Sequence, residues 1–209
     1  MGVAKSRDYG CPSLAQRLLN GSLLSASLMF PIRRLVIALL FAACAPLLRA
    51  TPDLSGGRLG HTPYDRYMKP VTKVLRQLNG AAPDFNRVAS LVRTSYGFDY
   101  VFDTPYVAAT PEETEARHAG DCKAKSLWLA KQMNDRSIRF VIGKARAGSK
   151  LSHAWLLWKN GGRWWILDPT NASQPIPADQ VSQDEYLVTY SYDRAGSHVY
   201  PVAYFDKEA

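Results

Sequence analysis

Three side chains of this chain could together make and break an acyl-thioester. They are the thiol of Cys122 in Ala-Gly-Asp-Cys-Lys, the imidazole of His153 in Ser-His-Ala-Trp, and the carboxylate of Asp168 in Trp-Ile-Leu-Asp-Pro-Thr. The thiolate is the nucleophilic form of cysteine. An imidazole beside it stabilises that form as an ion pair and later protonates the leaving amine. A carboxylate on the other ring nitrogen fixes the tautomer and orientation of the imidazole. Each residue alone has a plainer reading: Cys122 a small buried hydrophobe, His153 a structural histidine, Asp168 a turn residue before proline. Their joint order favours catalysis. No second Cys or His stands at ligand spacing, so neither a metal site nor a cofactor is expected. His61, His118 and His198 are scattered and read as solvated or structural.

The elements that must position these groups can be read from periodicity. Cys122 opens a helical run with Ala124, Leu127, Leu129, Ala130 and Met133 on a mostly buried face, and Asp121 stands at its N-cap. A cysteine there meets the positive end of the helix dipole, which favours a thiolate. Its backbone N–H is available as one oxyanion donor. A second donor is expected among residues 96–107, with Tyr100 and Tyr106 as candidates. Upstream, apolar spacing predicts helices over 65–78 and 83–96, and Gly97–Ala109 reads as short extended segments or an ordered loop. Thr110-Pro111-Glu112-Glu113 is a capping box with proline at the first helical position, and its short helix should end near Gly120.

Beyond Asn134-Asp135 the period shortens. Residues 139–145, 151–158 and 163–167 read as strands, and Lys159-Asn160-Gly161-Gly162 as a tight hairpin turn between the last two. That hairpin would set His153 and Asp168 side by side on the sheet, facing whatever packs against it, with the helix of Cys122 as the candidate. Residues 186–192 and 198–205 are also β-rich. Trp155, Trp158, Trp164 and Trp165 are expected to pack the sheet, one of them lining the acyl cleft. Helices first and strands afterwards predict an α+β fold with a mainly antiparallel sheet.

Four segments are expected along the 209 residues: an N-terminal extension over 1–28, a signal peptide over 29–50, a linker over 51–63 and one domain over 64–209. Arg33-Arg34, the apolar run from Leu35 to Leu48 and Ala50 have the form of a secretory signal. The run is short of the roughly 20 residues a bilayer span needs; a retained anchor is the alternative. Phe41 to Cys44 is a faint lipobox, and Arg33-Arg34 a weak twin-arginine signal. Export implies a periplasmic or secreted protein whose membrane contact is through the leader only. Cys11 and Cys44 leave with the leader, and Cys122 becomes the sole thiol in an oxidising compartment. The leader also carries much of the charge. Of 26 Lys and Arg, six lie before residue 51, and of 18 acidic residues only Asp8 does, so the +8 of the whole chain falls to +3. So small an excess does not indicate nucleic-acid binding.

Gly-Asp-Cys-Lys-Ala-Lys-Ser-Leu-Trp-Leu-Ala, His-Ala-Trp and Gly-Gly-Arg-Trp-Trp-Ile-Leu-Asp-Pro-Thr resemble, in this order, the three blocks of the transglutaminase-like superfamily. Thr-Pro-Glu-Glu-Thr resembles what precedes the first block there. The resemblance covers about Ala108 to Thr170 and is of the bacterial transglutaminase-like cysteine peptidase type. It implies a papain-like α+β fold with Cys122 as nucleophile, His153 as general base and acid, and Asp168 as the orienting residue. Some bacterial relatives are calcium-dependent and carry acidic residues on both sides of the cysteine; Asp121 fits that pattern and Lys123 departs from it. The activity implied is an exported thiol hydrolase of peptide or amide bonds, with a peptide or protein as substrate. Transfer of the acyl group to an amine, as in a protein-glutamine or arylamine acyltransferase, is the alternative reaction. A catalytically silent binding module is the alternative class.

Overall fold

Helical spacing gives way to alternation near residue 138, and the chain changes structure there. The computed structural model describes residues 54, 57–102, 104 and 106–201, all within the unit Leu48–Ala209. The segments read as an N-terminal extension and a signal peptide, with Cys11 and Cys44, lie outside the described residues. Among the described residues four α-helices precede the long strands: α1 (Lys69–Gln77), α2 (Phe85–Tyr96), α3 (Pro111–Arg117) and α4 (Cys122–Met133). The helix expected from residue 65 starts as one 3-10 turn over Asp65–Tyr67 and restarts at Lys69. Pro70 falls in the first turn of α1, where a missing N–H leaves no helical bond unmade. Asp84 caps α2 by accepting from the Arg87 N–H at 3.0 Å. The predicted capping box of α3 is present in both directions between Thr110 and Glu113.

Among the described residues nine strands accompany them. β1 (Arg58–Leu59), β4 (Arg139–Arg146), β5 (His153–Asn160), β6 (Arg163–Leu167), β7 (Ile176–Pro177), β8 (Glu185–Tyr192) and β9 (Ser197–Val199) form one sheet in the order β1-β9-β8-β4-β5-β6-β7. Every pairing in it is antiparallel. β2 (Asp99–Tyr100) and β3 (Ala119–Gly120) form a separate two-stranded parallel ribbon that leads directly into α4. The β5–β6 turn is Gly161-Gly162, with φ of 59° and 79°, the left-handed pair that a two-residue hairpin of this twist requires.

Three details differ from the periodicity. Within the stretch read as a linker, Arg58–Leu59 pairs with β9, and Thr62 is buried against Asp65 and Tyr192. The strand read over 198–205 is seen as Ser197–Val199, and residues 202–205 lie outside the described residues. β7 is too short to leave an alternation signal.

The sheet is covered on both faces. On the helix side, Leu127, Trp128 and Met133 of α4 meet Phe140, Ile142, Leu156 and Trp158 of the sheet, with Met68, Val71, Leu75, Val88 and Val92 closing the cluster. On the other face, Val141, Trp155, Leu157 and Ile166 pack with Ala178. Of the four tryptophans assigned to the sheet, Trp155 and Trp158 are fully buried, one on each face. This α+β arrangement, mainly antiparallel, is compatible with a papain-like core. Among the described residues no helix is long and apolar enough to cross a membrane.

Candidate active site

α4 is buried almost all round, from Cys122 to Ala130 and again at Met133. It lies against α2, α3 and β5, so its first residue is held from several sides. Asp121 sets the helix start: its Oδ1 accepts from the N–H groups of Lys123 and Ala124 at 2.9 and 3.0 Å. Gly120 lets β3 approach, since a Cβ there would stand 2.8 Å from that of Ala124. Ser126 Oγ donates to the Ala154 carbonyl at 3.3 Å and ties α4 to β5 one residue beyond His153. Ser95 Oγ donates to the Lys125 carbonyl from α2.

Two lysines of α4 are buried, against the ordinary placement of this residue. Lys123 Nζ is paired with Asp121 Oδ2 and lies 3.9 Å from the centre of the Tyr106 ring, over its face. Lys125 Nζ donates to the carbonyls of Tyr96 and Phe98 at 3.2 and 2.9 Å, binding the end of α2 and the entry to β2 onto α4. Burial lowers its pKa, opposed by the charges of Asp168 and Asp99. Asp121, the acidic residue that fits a calcium pattern, has both oxygens engaged within the chain.

The structure brings the three sequence-predicted residues together. His153 begins β5, and Asp168 follows the last residue of β6. Their side chains meet through His153 Nε2 and Asp168 Oδ2 at 2.9 Å. Asp168 is fully buried, Cys122 is 7% exposed, and the His153 side chain 13%. Burial pushes the imidazole toward neutrality. The hydrogen bonds and charges of Asp168 and Cys122 more than offset it and hold its pKa up at about 10. Nε2 is engaged by Asp168, which leaves Nδ1 for the thiol.

Asp168 gathers five donors. Oδ2 accepts from His153, from Asn171 Nδ2 at 2.8 Å and from the Tyr186 hydroxyl at 3.1 Å. Oδ1 accepts from the N–H groups of Thr170 and Asn171 at 3.1 and 3.3 Å. Burial raises its pKa, but His153, Asn171 and Thr170 outweigh that and keep the carboxyl below the usual range. One oxygen of Asp168 thus closes the turn, and the other faces the imidazole. Asn171 Nδ2 also lies 3.1 Å from His153 Nε2. An unprotonated Nε2 would turn its lone pair toward a buried carboxylate, so Nε2 carries the proton and the amide donates to Asp168 instead.

The second-donor candidates both lie within electrostatic reach of the thiol. Burial raises the pKa of Tyr100 and of Tyr106, and the charge of Cys122 adds to it in each case. Tyr100 is 54% exposed, whereas the Tyr106 ring packs tilted against Tyr64 and edge-on against Tyr67. Of the remaining histidines, His198 pairs with Asp193, His61 pairs with Asp65, and His118 ends α3 with its ring edge-on to Phe98. Among the described residues no three of His, Cys, Asp and Glu converge as metal ligands. Periodicity missed Tyr186 and Asn171. Asn171 had a local signal, an Asx turn after Asp-Pro-Thr; Tyr186 had none.

No protein-family model and no curated protein matches the chain. Solved structures similar to it include calcium-bound LapG of Legionella pneumophila, at 16% identity over 67% of this chain and 81% of that one, with a TM-score of 0.46. The EGTA-treated form of LapG gives 15% identity over 68% and 80%, with a TM-score of 0.45. A candidate cysteine protease from Cytophaga hutchinsonii gives 16% over 55% and 43%, with a TM-score of 0.35.

Proposed function

We propose that this protein is an exported, transglutaminase-like cysteine hydrolase of peptide or amide bonds, acting through an acyl-thioester on Cys122. The observation that carries the reading is the His153–Asp168 pair closed beside the thiol at the head of α4, with the imidazole held protonated at neutral pH. A protonated imidazole supplies the counter-charge for a Cys122 thiolate and the proton for a leaving amine. The sulfur attacks the carbonyl carbon, and the carbon–nitrogen bond breaks as the amine takes the proton from His153. Water then adds to the thioester, giving up a proton to the imidazole, and the carbon–sulfur bond breaks to release the acid. The Cys122 N–H is one donor to the oxyanion: Asp121 has taken the N–H groups of Lys123 and Ala124, and the first N–H groups of a helix have no acceptor within it. Tyr106 or Tyr100 supplies the second. Asp168 holds Nε2–H, so the thiol meets Nδ1.

Exposure of the mature protein to a peptide library with mass-spectrometric detection tests this. Cleaved products and a transient acyl adduct on Cys122, both absent in Cys122→Ala, are expected. If an added amine is incorporated in place of water, the enzyme is an acyltransferase. If Cys122 resists iodoacetamide until the protein is unfolded, the chain is a silent module and the catalytic reading fails.

A further inference from the structure

We infer that Tyr186 is a positioning residue of this site: its phenol anchors the Asp168 carboxylate and tempers the pull of that carboxylate on His153. The inference rests on the thiol–imidazole reading above and adds a group that the three motifs do not contain.

Three observations carry it. Tyr186 has a left-handed backbone, φ 53°, in the second residue of β8. A bulky side chain adopts that conformation only where its surroundings impose it, and such residues cluster at functional sites. The β4–β8 register also slips between Ile142, opposite Tyr190, and Gly143, opposite Val188, so β8 carries one extra residue there. A one-residue slip turns every later side chain to the other face. Without it Tyr186 would lie on the helix side with Ile142; with it, Tyr186 shares the face of His153 and Trp155. Gly143, which pairs with both His153 and Val188, admits the slip: a Cβ there would stand 2.0 Å from the Leu187 carbonyl oxygen. Finally, the phenol lands on the working atom. It donates to Oδ2, the oxygen that faces His153, while its ring stands edge-on to Trp155, which stacks on the His153 ring.

The consequence follows from sharing one oxygen. Each donor to Oδ2 draws on charge that would otherwise hold the imidazolium proton. The charged and titratable groups facing the pair are Cys122 and Lys125 from α4 and Tyr186 from β8, with Glu185 and Arg146 beyond the phenol. Removing only the phenolic hydroxyl raises the proton affinity of His153. It then releases its proton to a leaving amine less readily, and turnover falls while binding is spared.

The test is Tyr186→Phe, which keeps the ring against Trp155. His153 is followed by NMR of ring-labelled imidazole across pH, with thermal midpoints as a check on folding. The His153 titration should move upward by three- to tenfold in proton affinity, and kcat on a peptide found by library cleavage should fall about tenfold with KM within twofold. Fluorotyrosine at 186, a stronger donor of the same shape, should move the titration the other way. Val188→Ala, on the same face without a bond to Asp168, should leave it in place. A titration unmoved or lowered in folded Tyr186→Phe, or unmoved by fluorotyrosine, overturns the inference. His153→Ala separates the two readings: loss of rapid Cys122 alkylation at pH 6 keeps the thiol–imidazole pair whatever Tyr186 does, and unchanged alkylation removes the pair itself.

Discussion

Asp168→Asn isolates the contribution of one charge to the thiol–imidazole pair. The amide keeps the shape of the carboxylate, and its oxygen can still accept from the N–H groups of Thr170 and Asn171. Its nitrogen would replace Oδ2 and face three donors: His153, Asn171 and Tyr186. His153 can satisfy that nitrogen only by accepting through Nε2. The proton then moves to Nδ1, the atom that must serve the thiol. Raising an imidazole from 6.5 to about 10 corresponds to about 5 kcal/mol at 1.36 kcal/mol per pH unit, shared between Asp168 and Cys122. Breaking a buried pair by removing one charge costs about 3 kcal/mol, or a fall of roughly 10 °C in thermal midpoint for a domain of this size.

The sign with pH is fixed by both partners. His153 is raised, so its contribution is full below its ordinary value and fades as the pH climbs through about 10. Asp168 is lowered, so its contribution is present above the ordinary carboxylate range and is lost as the pH falls through its depressed value. The stability deficit of Asp168→Asn should therefore be greatest between about pH 4 and 6.5 and close toward pH 10. Reactivity is the sharper assay. Without a charged imidazole beside it the sulfur loses its counter-ion, so alkylation of Cys122 at pH 6 should slow by about 10- to 100-fold. Equal alkylation of wild type and folded Asp168→Asn at pH 6 would refute the reasoning, because the carboxylate would then not be what keeps His153 charged.

Other outcomes follow from the same contacts. Peptide cleavage should persist into alkaline solution and decline near pH 10, where His153 loses its proton; a decline near pH 7 in the pH–rate profile would contradict the hydrogen-bonded pair. Gly143→Ala must displace the Leu187 carbonyl and with it Tyr186, and should lower stability in urea by about 3 kcal/mol and activity by more than tenfold. Lys125→Met keeps the stem but leaves the Tyr96 and Phe98 carbonyls without their donor, and a loss of about 2 kcal/mol is expected by chemical denaturation. Thr110→Ala removes the cap of α3 and should cost about 1 kcal/mol by the same measurement, with cleavage unchanged.

Much of this architecture is local in origin and was therefore legible in the chain. The caps at Thr110 and Asp121 depend on residues at most three positions away, and each is found where its pattern placed it; Asp84 caps α2 over the same short range, one residue inside the helix start expected at 83. The Gly161-Gly162 turn set the register of β5 on β6, and that hairpin brought Asp168 to His153 across 15 residues of sequence. The sequence by itself thus determined the order of helices and strands, the helix on which Cys122 stands and the strand pair that carries its partners.

Tertiary structure decided what depends on contacts between distant segments. The burial of Lys123 and Lys125 along α4 runs against their polarity and follows from Asp121, the Tyr106 ring and two carbonyls of another segment. The two-residue strands β1 and β7 exist only because a neighbouring edge accepts them. Above all, the face on which Tyr186 lies was settled by one slipped residue between β4 and β8, in a strand whose period-2 pattern fits either face. A period of two records that side chains alternate; it does not record which face meets the imidazole of His153.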